Sequence, residues 1–210
     1  MQAAAVEKLR ARLAGSNEAQ RPVARLDLPM KLDYLLNESA VALLKPAAVL
    51  VPIIRRSHGH TVLLTKRADH LRQHKGQISF PGGRRDAGDV SLAAAALREA
   101  HEEVGLPPSS VQVIGYLDDY PTITGYRITP VVGYIEADFV ASPEPGEVAE
   151  AFELPLDWIT GDNRFERKEM TRIGVTMPFL ELKFGEHAIW GATAGILWNL
   201  REQFGHGWES

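Results

Sequence analysis

The chain has 210 residues, 45% apolar and 24% charged, an ordinary composition for one soluble domain with at most a small appendage. Its net charge of −4 argues against non-specific nucleic-acid binding, so no nucleic-acid partner is expected. The absence of cysteine excludes disulfides, a thiolate nucleophile and cysteine-ligated zinc, so any metal must have oxygen or imidazole ligands.

At the N-terminus, charged residues occupy the positions where a signal peptide would have its apolar region. The longest apolar runs, 47–54 and 189–200, are far shorter than the ~20 residues of a membrane span. These features predict a cytoplasmic protein without a membrane partner. The arginine-bearing N-terminus leaves an organelle transit segment as the alternative, which the acidic Glu7 and Glu18 oppose.

The first 45 residues are expected to form an N-terminal helical appendage on the main domain, 46–210. Residues 3–13 are rich in Ala, Leu, Arg and Lys and predict a helix that stops at a glycine. Residues 16–29 are polar, contain two prolines and predict a loop. A second short helix is predicted at 31–44, before Pro46.

The main domain mixes predicted strands and helices. In chain order the pattern predicts strands at 47–54 and 61–65, a long loop at 66–88, a helix at 91–104, strands at 111–117 and 127–134, a helical turn at 147–152, a hairpin of 178–184 with 187–190, and a helix at 191–204. This mixture predicts an α+β fold in which helices flank a mixed sheet, an α/β/α sandwich. Long ordered loops in compact domains are usually functional, which directs attention to 66–88.

The helix predicted at 91–104 carries a cluster of acidic side chains. On a helical wheel its apolar side chains share one stripe that should pack on a sheet: Ala93, Leu97, Ala100 and Val104. Glu99, Glu102 and Glu103 fall within about 100° on the opposite side. A divalent cation would turn the repulsion between these carboxylates into coordination, and hard Mg²⁺ or Mn²⁺ suits such ligands. The alternative, a solvated acidic face, has no use for the glycine turn at 81–83, which lets backbone groups approach a phosphate or a metal.

Gly83, Asp89 and the segment 98–106 together resemble the sequence box of the Nudix hydrolases. The box is a glycine, five residues, a glutamate and seven residues, followed by Arg-Glu, an apolar residue, any residue, Glu-Glu, any residue, Gly and an apolar residue. Segment 98–106 (REAHEEVGL) matches its second half completely. In the first half Asp89 replaces the glutamate, and eight residues follow it instead of seven.

A narrower pattern lies upstream and resembles the Nudix branch that hydrolyses coenzyme A. That branch carries Leu-Leu-Thr, any residue, Arg, Ser or Ala, three residues, Arg, three residues, Gly, three residues and Phe-Pro-Gly-Gly. Segment 63–83 (LLTKRADHLRQHKGQISFPGG) meets every specified position. The match implies substrate contacts from Arg67, Arg72, Gly76, Phe80, Gly82 and Gly83. With weaker similarities further on, the resemblance covers roughly residues 46–200 and leaves out 1–45.

The charges of this region agree with a substrate rich in phosphate. Five cations lie within 19 residues: Arg67, Arg72, Lys75, Arg84 and Arg85. Coenzyme A carries a pyrophosphate and a 3′-phosphate, and guanidinium groups suit bidentate phosphate contacts. The nearby histidines are expected to be solvent-exposed rather than metal ligands: His70, His74 and His101. The four tryptophans are expected to pack in the core, whereas Tyr120 and Tyr126 lie in a loop where adenine contact is an alternative to packing.

The resemblance implies a Nudix fold and assigns roles to the box residues. Glu99 and Glu103 are the implied main metal ligands, Glu102 is a further ligand or a water-orienting group, and Arg98 is their charge partner. The implied reaction is Mg²⁺- or Mn²⁺-dependent hydrolysis of coenzyme A or acyl-coenzyme A to 3′,5′-ADP and 4′-phosphopantetheine or its acylated form. The general base is open among four glutamates: Glu102, Glu144, Glu147 and Glu150.

Two other functions share part of this pattern. A Nudix pyrophosphatase for ADP-ribose or another nucleoside diphosphate derivative would carry the same glutamate helix. A non-catalytic Nudix-like nucleotide-binding domain would typically lack the box glutamates, all of which are present here. A homodimer is common among such enzymes, although no residue of this sequence specifies an interface.

Overall fold

The computed structural model describes residues 2–24, 38–71, 76–136, 139–161, 164–172 and 175–205. Its helices are α1 (Gln2–Leu13), α2 (Glu38–Ala42), α3 (Leu92–Val104), α4 (Leu156–Thr160) and α5 (Ala192–Glu202), with a 3-10 turn at Pro108–Ser110. Its strands are β1 (Lys45–Arg56), β2 (Gly59–Arg67), β3 (Ile78–Ser79), β4 (Gly82–Arg84), β5 (Gln112–Tyr116), β6 (Tyr120–Pro121), β7 (Tyr126–Ile135), β8 (Val148–Pro155), β9 (Glu166–Arg172), β10 (Val175–Phe184) and β11 (His187–Trp190). No helix within these described ranges is long and apolar enough to cross a membrane.

A mixed sheet of eight strands forms the centre of the molecule. Its main path runs β3-β2-β1-β7-β5, while β4 pairs with β1, β6 with β7 and β8 with β2. The central strands β1 and β7 are parallel, and the other pairs in this sheet are antiparallel. A second, antiparallel sheet has the order β11-β10-β9 and contains the predicted hairpin, which is confirmed.

β1 and β2 separate toward the start of β1, and the glycine turn occupies the gap. β1 pairs with β2 only over 53–56, whereas 47–49 pair with β4. β2 in turn pairs with β3 at Thr65 and Lys66. Because each strand edge offers one row of backbone hydrogen-bonding groups, β3 and β4 replace the original partners there. The region predicted as one long loop at 66–88 therefore contains two short strands that belong to the sheet.

Hydrophobic clusters lie on both faces of the main sheet, because neighbouring residues of a strand point to opposite faces. In β1, Val51 and Ile53 belong to a cluster that includes α1, α4 and α5. Leu50 and Ile54 belong to the other cluster, which includes α3. The sheet thus lies between helices, and the predicted α+β fold with an α/β/α sandwich is confirmed.

The N-terminal segment 2–24 is part of the same core. α1 contributes three buried side chains: Val6, Leu9 and Leu13. After α1, the Arg21 guanidinium Nε lies 2.7 Å from Oδ1 of Asp119, and neither side chain is more than 2% exposed. Arg127 and Thr129 donate to the same carboxylate. The segment is therefore held by apolar packing and by a buried ionic cluster, while the expected domain boundary at residue 45 stays a prediction.

Strongly periodic elements of the sequence are found where they were predicted, with ends that shift by a few residues. The predicted helical turn at 147–152 is wrong, because β8 begins at Val148 and pairs along 61–67 of β2. The segment (VAEAFELP) does not alternate between apolar and polar residues, so its pairing with β2 defines the strand, not a local two-residue period. The pattern did not predict α4 or β9. Of the helix predicted at 31–44, the structure shows α2, and 25–37 lie outside the described residues.

The Arg21→Ala variant should be destabilised by about 3 kcal/mol, because it leaves the fully buried Asp119 with one cation fewer. Urea unfolding measures the effect. Arg55→Ala is the matched control, since Arg55 and its partner Glu136 are both largely exposed, and such pairs contribute at most about 1 kcal/mol. Equal unfolding midpoints for the two variants would contradict a structural role for the buried pair.

Candidate active site

α3 begins and ends at well-defined caps. Ser91 precedes its first turn, and its Oγ accepts the Ala94 N–H at 2.9 Å. The Glu18 carboxylate, from the N-terminal segment, accepts the Leu92 N–H at 2.8 Å. At the other end Gly105 has a φ of +70°, a left-handed conformation that glycine adopts without strain. Local patterns predict the two caps, but no local signal connects α3 with Glu18, which is 74 residues away.

The helical wheel places all three glutamates of α3 opposite the apolar stripe, but the structure buries Glu103 on the side that packs on the sheet. The exposed fractions of their side chains are 17% for Glu99, 54% for Glu102 and 3% for Glu103. Ala93 and Leu97 of the predicted stripe are only half-buried, and the fully buried apolar residues of the helix are Leu92, Ala95, Ala96, Ala100 and Val104. The buried arc is thus wider than predicted, and Glu103 lies within it.

β4 approaches α3 so closely that no side chain fits between them. A Cβ on Gly83 would lie 2.6 Å from Cδ of Glu99, which is shorter than a van der Waals contact between two carbon atoms. A Cβ on Gly82 would lie 2.6 Å from the Val49 Cα in β1, which is a backbone atom. The two glycines therefore have different roles. Gly82 allows β4 to pair with β1, and Gly83 leaves space for the Glu99 carboxyl.

Arg98 connects the acidic side chains around the start of α3. Its guanidinium donates to both carboxylate oxygens of Asp89, at 3.0 and 3.1 Å. Its NH1 donates to Glu99 and to Glu102, each at 3.0 Å. Such charge-assisted bidentate contacts fix geometry, and the hydrogen bonds from Arg98 lower the pKa of the Asp89 carboxyl. Asp89, which stands where the box has a glutamate, is therefore engaged by Arg98.

Glu103 is a buried carboxyl with an unmet hydrogen-bonding requirement. Its Oε2 is buried and has no hydrogen-bond partner within the described part of the chain. Its Oε1 lies 3.9 Å from NH1 of Arg67. Burial, reinforced by the negative charge of Glu99, raises the pKa of Glu103 to about 8, and the Arg67 charge opposes this only in part. A buried polar atom without a partner is costly, and a cation is the kind of partner this oxygen lacks.

The donor set fits a divalent metal ion. Burial raises the pKa of Glu99 above its ordinary value, while Arg98 lowers it. No three His, Asp or Glu side chains among the described residues converge closely enough to form a metal site by themselves. Glu99 and Glu103 nevertheless offer hard oxygen donors one helical turn apart, and Oε2 of Glu103 has no hydrogen-bond partner among the residues that the structure describes. The excess negative charge between them is what a bound cation would neutralise.

The four candidates for the general base differ in their surroundings. The Glu102 carboxylate accepts a hydrogen bond from the Arg98 guanidinium. Oε1 of Glu150 lies 3.3 Å from Nε2 of His187. The Glu144 carboxylate accepts the Gly146 N–H. Glu147 is exposed, and its charge contributes to the raised pKa of both Glu99 and Glu103, although the charge of Glu102 acts more strongly on Glu99.

The residues that the upstream pattern predicts as substrate contacts have different environments in the structure. Arg67 lies beside Glu103. Gly76 forms a turn with a φ of +68°, and its N–H donates to the Arg67 carbonyl at 3.1 Å. Phe80 is 2% exposed and packs in the core, so its side chain has no surface for a substrate. Three predicted or candidate residues lie outside the described residues: Arg72, His74 and Lys75.

The remaining basic and aromatic candidates differ in their surroundings. Arg85 donates to the Asp89 carbonyl, and Arg84 is exposed. His70 and His101 are exposed, as expected. The Tyr120 ring lies against Gly195 of α5, and burial raises its pKa to about 12. Three tryptophans pack against an aromatic ring: Trp158 against Phe184, Trp190 against Phe179 and Trp198 against Phe165. Trp208 lies outside the described residues.

Sequence and structure comparisons relate the chain to known proteins. A family model described as NUDIX domain matches residues 44–172. The chain is 44% identical over 161 residues to the Uncharacterized Nudix hydrolase NudL of Enterobacter sp. (strain 638), which covers 77% of this chain and 83% of that protein. It is 42% identical over 187 residues to the protein of the same name from Escherichia coli O139:H28 (strain E24377A / ETEC), covering 84% and 96% of the two chains. The solved structure of RenU, a Nudix hydrolase from M. Smegmatis, shares 29% identity over 54% of this chain and 71% of its own, with a TM-score of 0.46.

The chain therefore belongs to the Nudix family. The resemblance carried by segment 98–106 is confirmed, and the chain is a Nudix hydrolase, a pyrophosphohydrolase. Nudix enzymes generally use divalent metal ions, which agrees with the oxygen donors of α3.

The Gly83→Ala variant should lose about 100-fold in hydrolytic rate, because the new Cβ displaces the Glu99 carboxyl from its place against β4. The melting temperature should change little, since the displaced group is the end of a flexible side chain. Gly88→Ala is the matched control, because a Cβ there has nothing within 4 Å. A Gly83→Ala enzyme with wild-type turnover would show that this contact does not position Glu99.

The metal-free protein should lose stability as the pH rises from about 4.5 to about 8. In that range folded Glu103 remains protonated while the unfolded carboxyl has ionised, so the folded state binds the additional proton. Each unit of pKa difference corresponds to about 1.4 kcal/mol. Urea unfolding in the presence of a chelator, compared between wild type and Glu103→Gln, isolates this contribution. The variant should show a flatter dependence, and Glu102→Gln, at an exposed position, should not.

Proposed function

We propose that this enzyme hydrolyses the diphosphate linkage of coenzyme A and its derivatives, with Mg²⁺ or Mn²⁺ as the metal. The products are 3′,5′-ADP and 4′-phosphopantetheine, or acyl-phosphopantetheine from an acylated substrate. One observation carries the proposal: Arg67, a residue of the coenzyme A pattern, lies 3.9 Å from Oε1 of the buried Glu103, whose Oε2 has no hydrogen-bond partner among the described residues. The substrate pattern and the Nudix box therefore meet at one point of the fold.

Glu99 and Glu103 would hold the metal, with Glu102 as a further ligand or a group that orients water. When bound, the metal neutralises the diphosphate and increases the acidity of the attacking water. Arg67 supplies a positive charge next to this centre, where a diphosphate oxygen carries negative charge. Arg98 keeps Glu99 in position through its paired contacts with Asp89.

We assign the general base to Glu147. It is exposed, so it is accessible to water, and its charge acts on both metal-binding glutamates. Its backbone carbonyl accepts the Ala68 N–H at 2.9 Å, which joins its turn to the end of β2 near Arg67. Removal of a positioned base typically costs 10²–10⁴-fold, so Glu147→Gln should lower kcat by about that factor with little change in KM.

The choice of coenzyme A over other diphosphates rests on segment 63–83 and its cations. Arg67 lies beside Glu103 of α3, and Gly83 of β4 lies against Glu99 of the same helix. Arg72 and Lys75 complete the predicted phosphate contacts, although they lie outside the described residues. We further propose the cytoplasm as the compartment and a main domain that begins near residue 46. A homodimer remains a proposal drawn from the family resemblance.

The substrate is tested by comparing coenzyme A, acyl-coenzyme A and ADP-ribose with Mg²⁺ and with Mn²⁺, with the products separated by chromatography. Coenzyme A or its acyl form should give the highest kcat/KM, because the upstream pattern supplies charges for a 3′-phosphate that ADP-ribose lacks. Faster turnover of ADP-ribose would assign the enzyme to another Nudix substrate class. No hydrolysis of any diphosphate would favour a binding domain.

The Glu99→Gln variant should lose several orders of magnitude in kcat while it remains folded, because the amide keeps the shape of the carboxyl but is a poor metal ligand. Steady-state assays over a range of Mn²⁺ concentrations test this expectation. Glu136→Gln, which changes an exposed carboxylate paired with Arg55, is the control and should retain activity. Near-normal turnover by Glu99→Gln would overturn the metal assignment.

A further inference from the structure

Glu18 reaches the catalytic helix from outside the region that matches the family, residues 44–172. Its Oε1 accepts the Leu92 N–H at 2.8 Å, and its Oε2 lies 3.5 Å from the Ala93 N. Ser91 Oγ accepts the next amide, that of Ala94. The first N–H groups of a helix have no partner within the helix, so a carboxylate from elsewhere in the chain satisfies them here.

We propose that Glu18 is a positioning residue for the active site, through which the N-terminal segment controls the placement of α3 and its metal-binding glutamates. The inference rests on the proposed metal-dependent hydrolysis. A carboxylate at the N-terminus of a helix also interacts favourably with the helix dipole, so the contact combines hydrogen bonding and charge.

Contacts on both sides of Glu18 keep this side chain in place. Ser16 Oγ donates to the Leu13 carbonyl at 2.6 Å and accepts the Tyr116 N–H of β5 at 2.9 Å. On the other side, Arg21 donates to the Asn17 carbonyl at 2.9 Å and to the buried Asp119. Glu18 therefore lies on a short segment that is attached at one end to β5 and at the other end to a buried ionic cluster.

The first turn of α3 is connected to the metal-binding residues through the loop that precedes it. Asp89 lies in that loop, and its carboxylate accepts hydrogen bonds from the Arg98 guanidinium and from the backbone N–H of Asp86. Arg98 in turn donates to Glu99. Loss of the Glu18 contact should loosen the loop and first turn together, and the change should reach Glu99 through Asp89 and Arg98.

The C-terminal end of α3 has its own contacts, which should keep the helix folded without Glu18. The Glu144 N–H donates to the Glu103 carbonyl at 2.9 Å, and the Ser142 N–H donates to the Val104 carbonyl at the same distance. Gly105 closes the final turn. The expected consequence of removing Glu18 is therefore misplacement of the active-site residues rather than unfolding of the domain.

The test compares Glu18→Ala and Glu18→Gln with wild type in the full-length protein. Glu18→Ala should lower kcat about tenfold and weaken Mn²⁺ binding several-fold, with a small change in KM, because a displacement of catalytic groups affects the reacting geometry first. Amide exchange at Leu92 and Ala93 should become about five- to tenfold faster, as expected for the loss of a cap. Glu18→Gln keeps an acceptor oxygen and should recover most of kcat.

Glu7→Ala is the matched control, because Glu7 is an exposed glutamate of the N-terminal segment whose recorded ion pair is with Arg10. It should leave kcat, Mn²⁺ affinity and the exchange of the α3 amides unchanged. A purely structural role for Glu18 would lower the melting temperature while kcat and Mn²⁺ affinity of the folded protein stay at wild-type values, and that result would overturn the proposal. If Glu18→Ala does not fold, Glu18→Asp decides, because its carboxylate is one methylene further from the Leu92 N–H. Unchanged kcat and Mn²⁺ affinity in that variant would also overturn the proposal.

The proposed function and this inference fail in different ways. Mn²⁺ binding, followed by electron paramagnetic resonance, and amide exchange require no substrate. A wild-type enzyme that prefers another diphosphate would contradict the coenzyme A assignment, and the Glu18 variants would then be assayed on that diphosphate. Wild-type exchange rates at Leu92 and Ala93 in Glu18→Ala would contradict the Glu18 contact whatever the substrate.

Discussion

The close contact between Glu99 of α3 and Gly83 of β4 is the constraint on which the rest of the site depends. It requires a glycine at residue 83, because a Cβ would occupy the space of the Glu99 carboxyl. It also requires β4 to lie in the sheet beside β1. The separation of β1 from β2 leaves room for β4 there, and Gly82 permits the close pairing. The topology of the sheet and the position of one carboxylate are thus two consequences of the same packing.

This packing has an electrostatic cost at Glu103. Bringing α3 against the sheet buries the Glu103 carboxyl, raises its pKa to about 8 and leaves one oxygen without a hydrogen-bond partner in the part of the chain that the structure describes. Arg67 offsets part of the cost from β2, and Arg98 organises the neighbouring carboxylates from the solvent side. Groups with strongly shifted pKa values concentrate at functional sites, where a bound ligand or metal provides the missing interaction partner.

Strong local periodicity made some elements predictable. The 3.6-residue pattern, the serine cap and the closing glycine identify α3 from residues that are neighbours in the chain. The sequence did not predict β8 because its glutamates recur at every third residue and not in the two-residue alternation of a strand. Only the pairing with β2 shows that the segment is a strand. The upstream pattern predicts that Phe80 contacts the substrate, yet its side chain packs in the hydrophobic core. A motif alone does not distinguish a residue that packs in the core from one that binds a substrate.

By itself, the sequence determined the family, the acidic helix, the glycine turn and the mixed α+β architecture, because each depends on residues close together in the chain. The tertiary structure decided which glutamate is buried, that Asp89 is held by Arg98, and that Glu18 caps α3. The apolar stripe shows that α3 packs on a sheet, but the depth of its approach depends on the absence of a Cβ in β4. Similarly, Glu18 meets Leu92 only because α1 and Arg21 attach the N-terminal segment to the core. Burial and contacts between distant residues are properties of the packed chain, and no local pattern contains them.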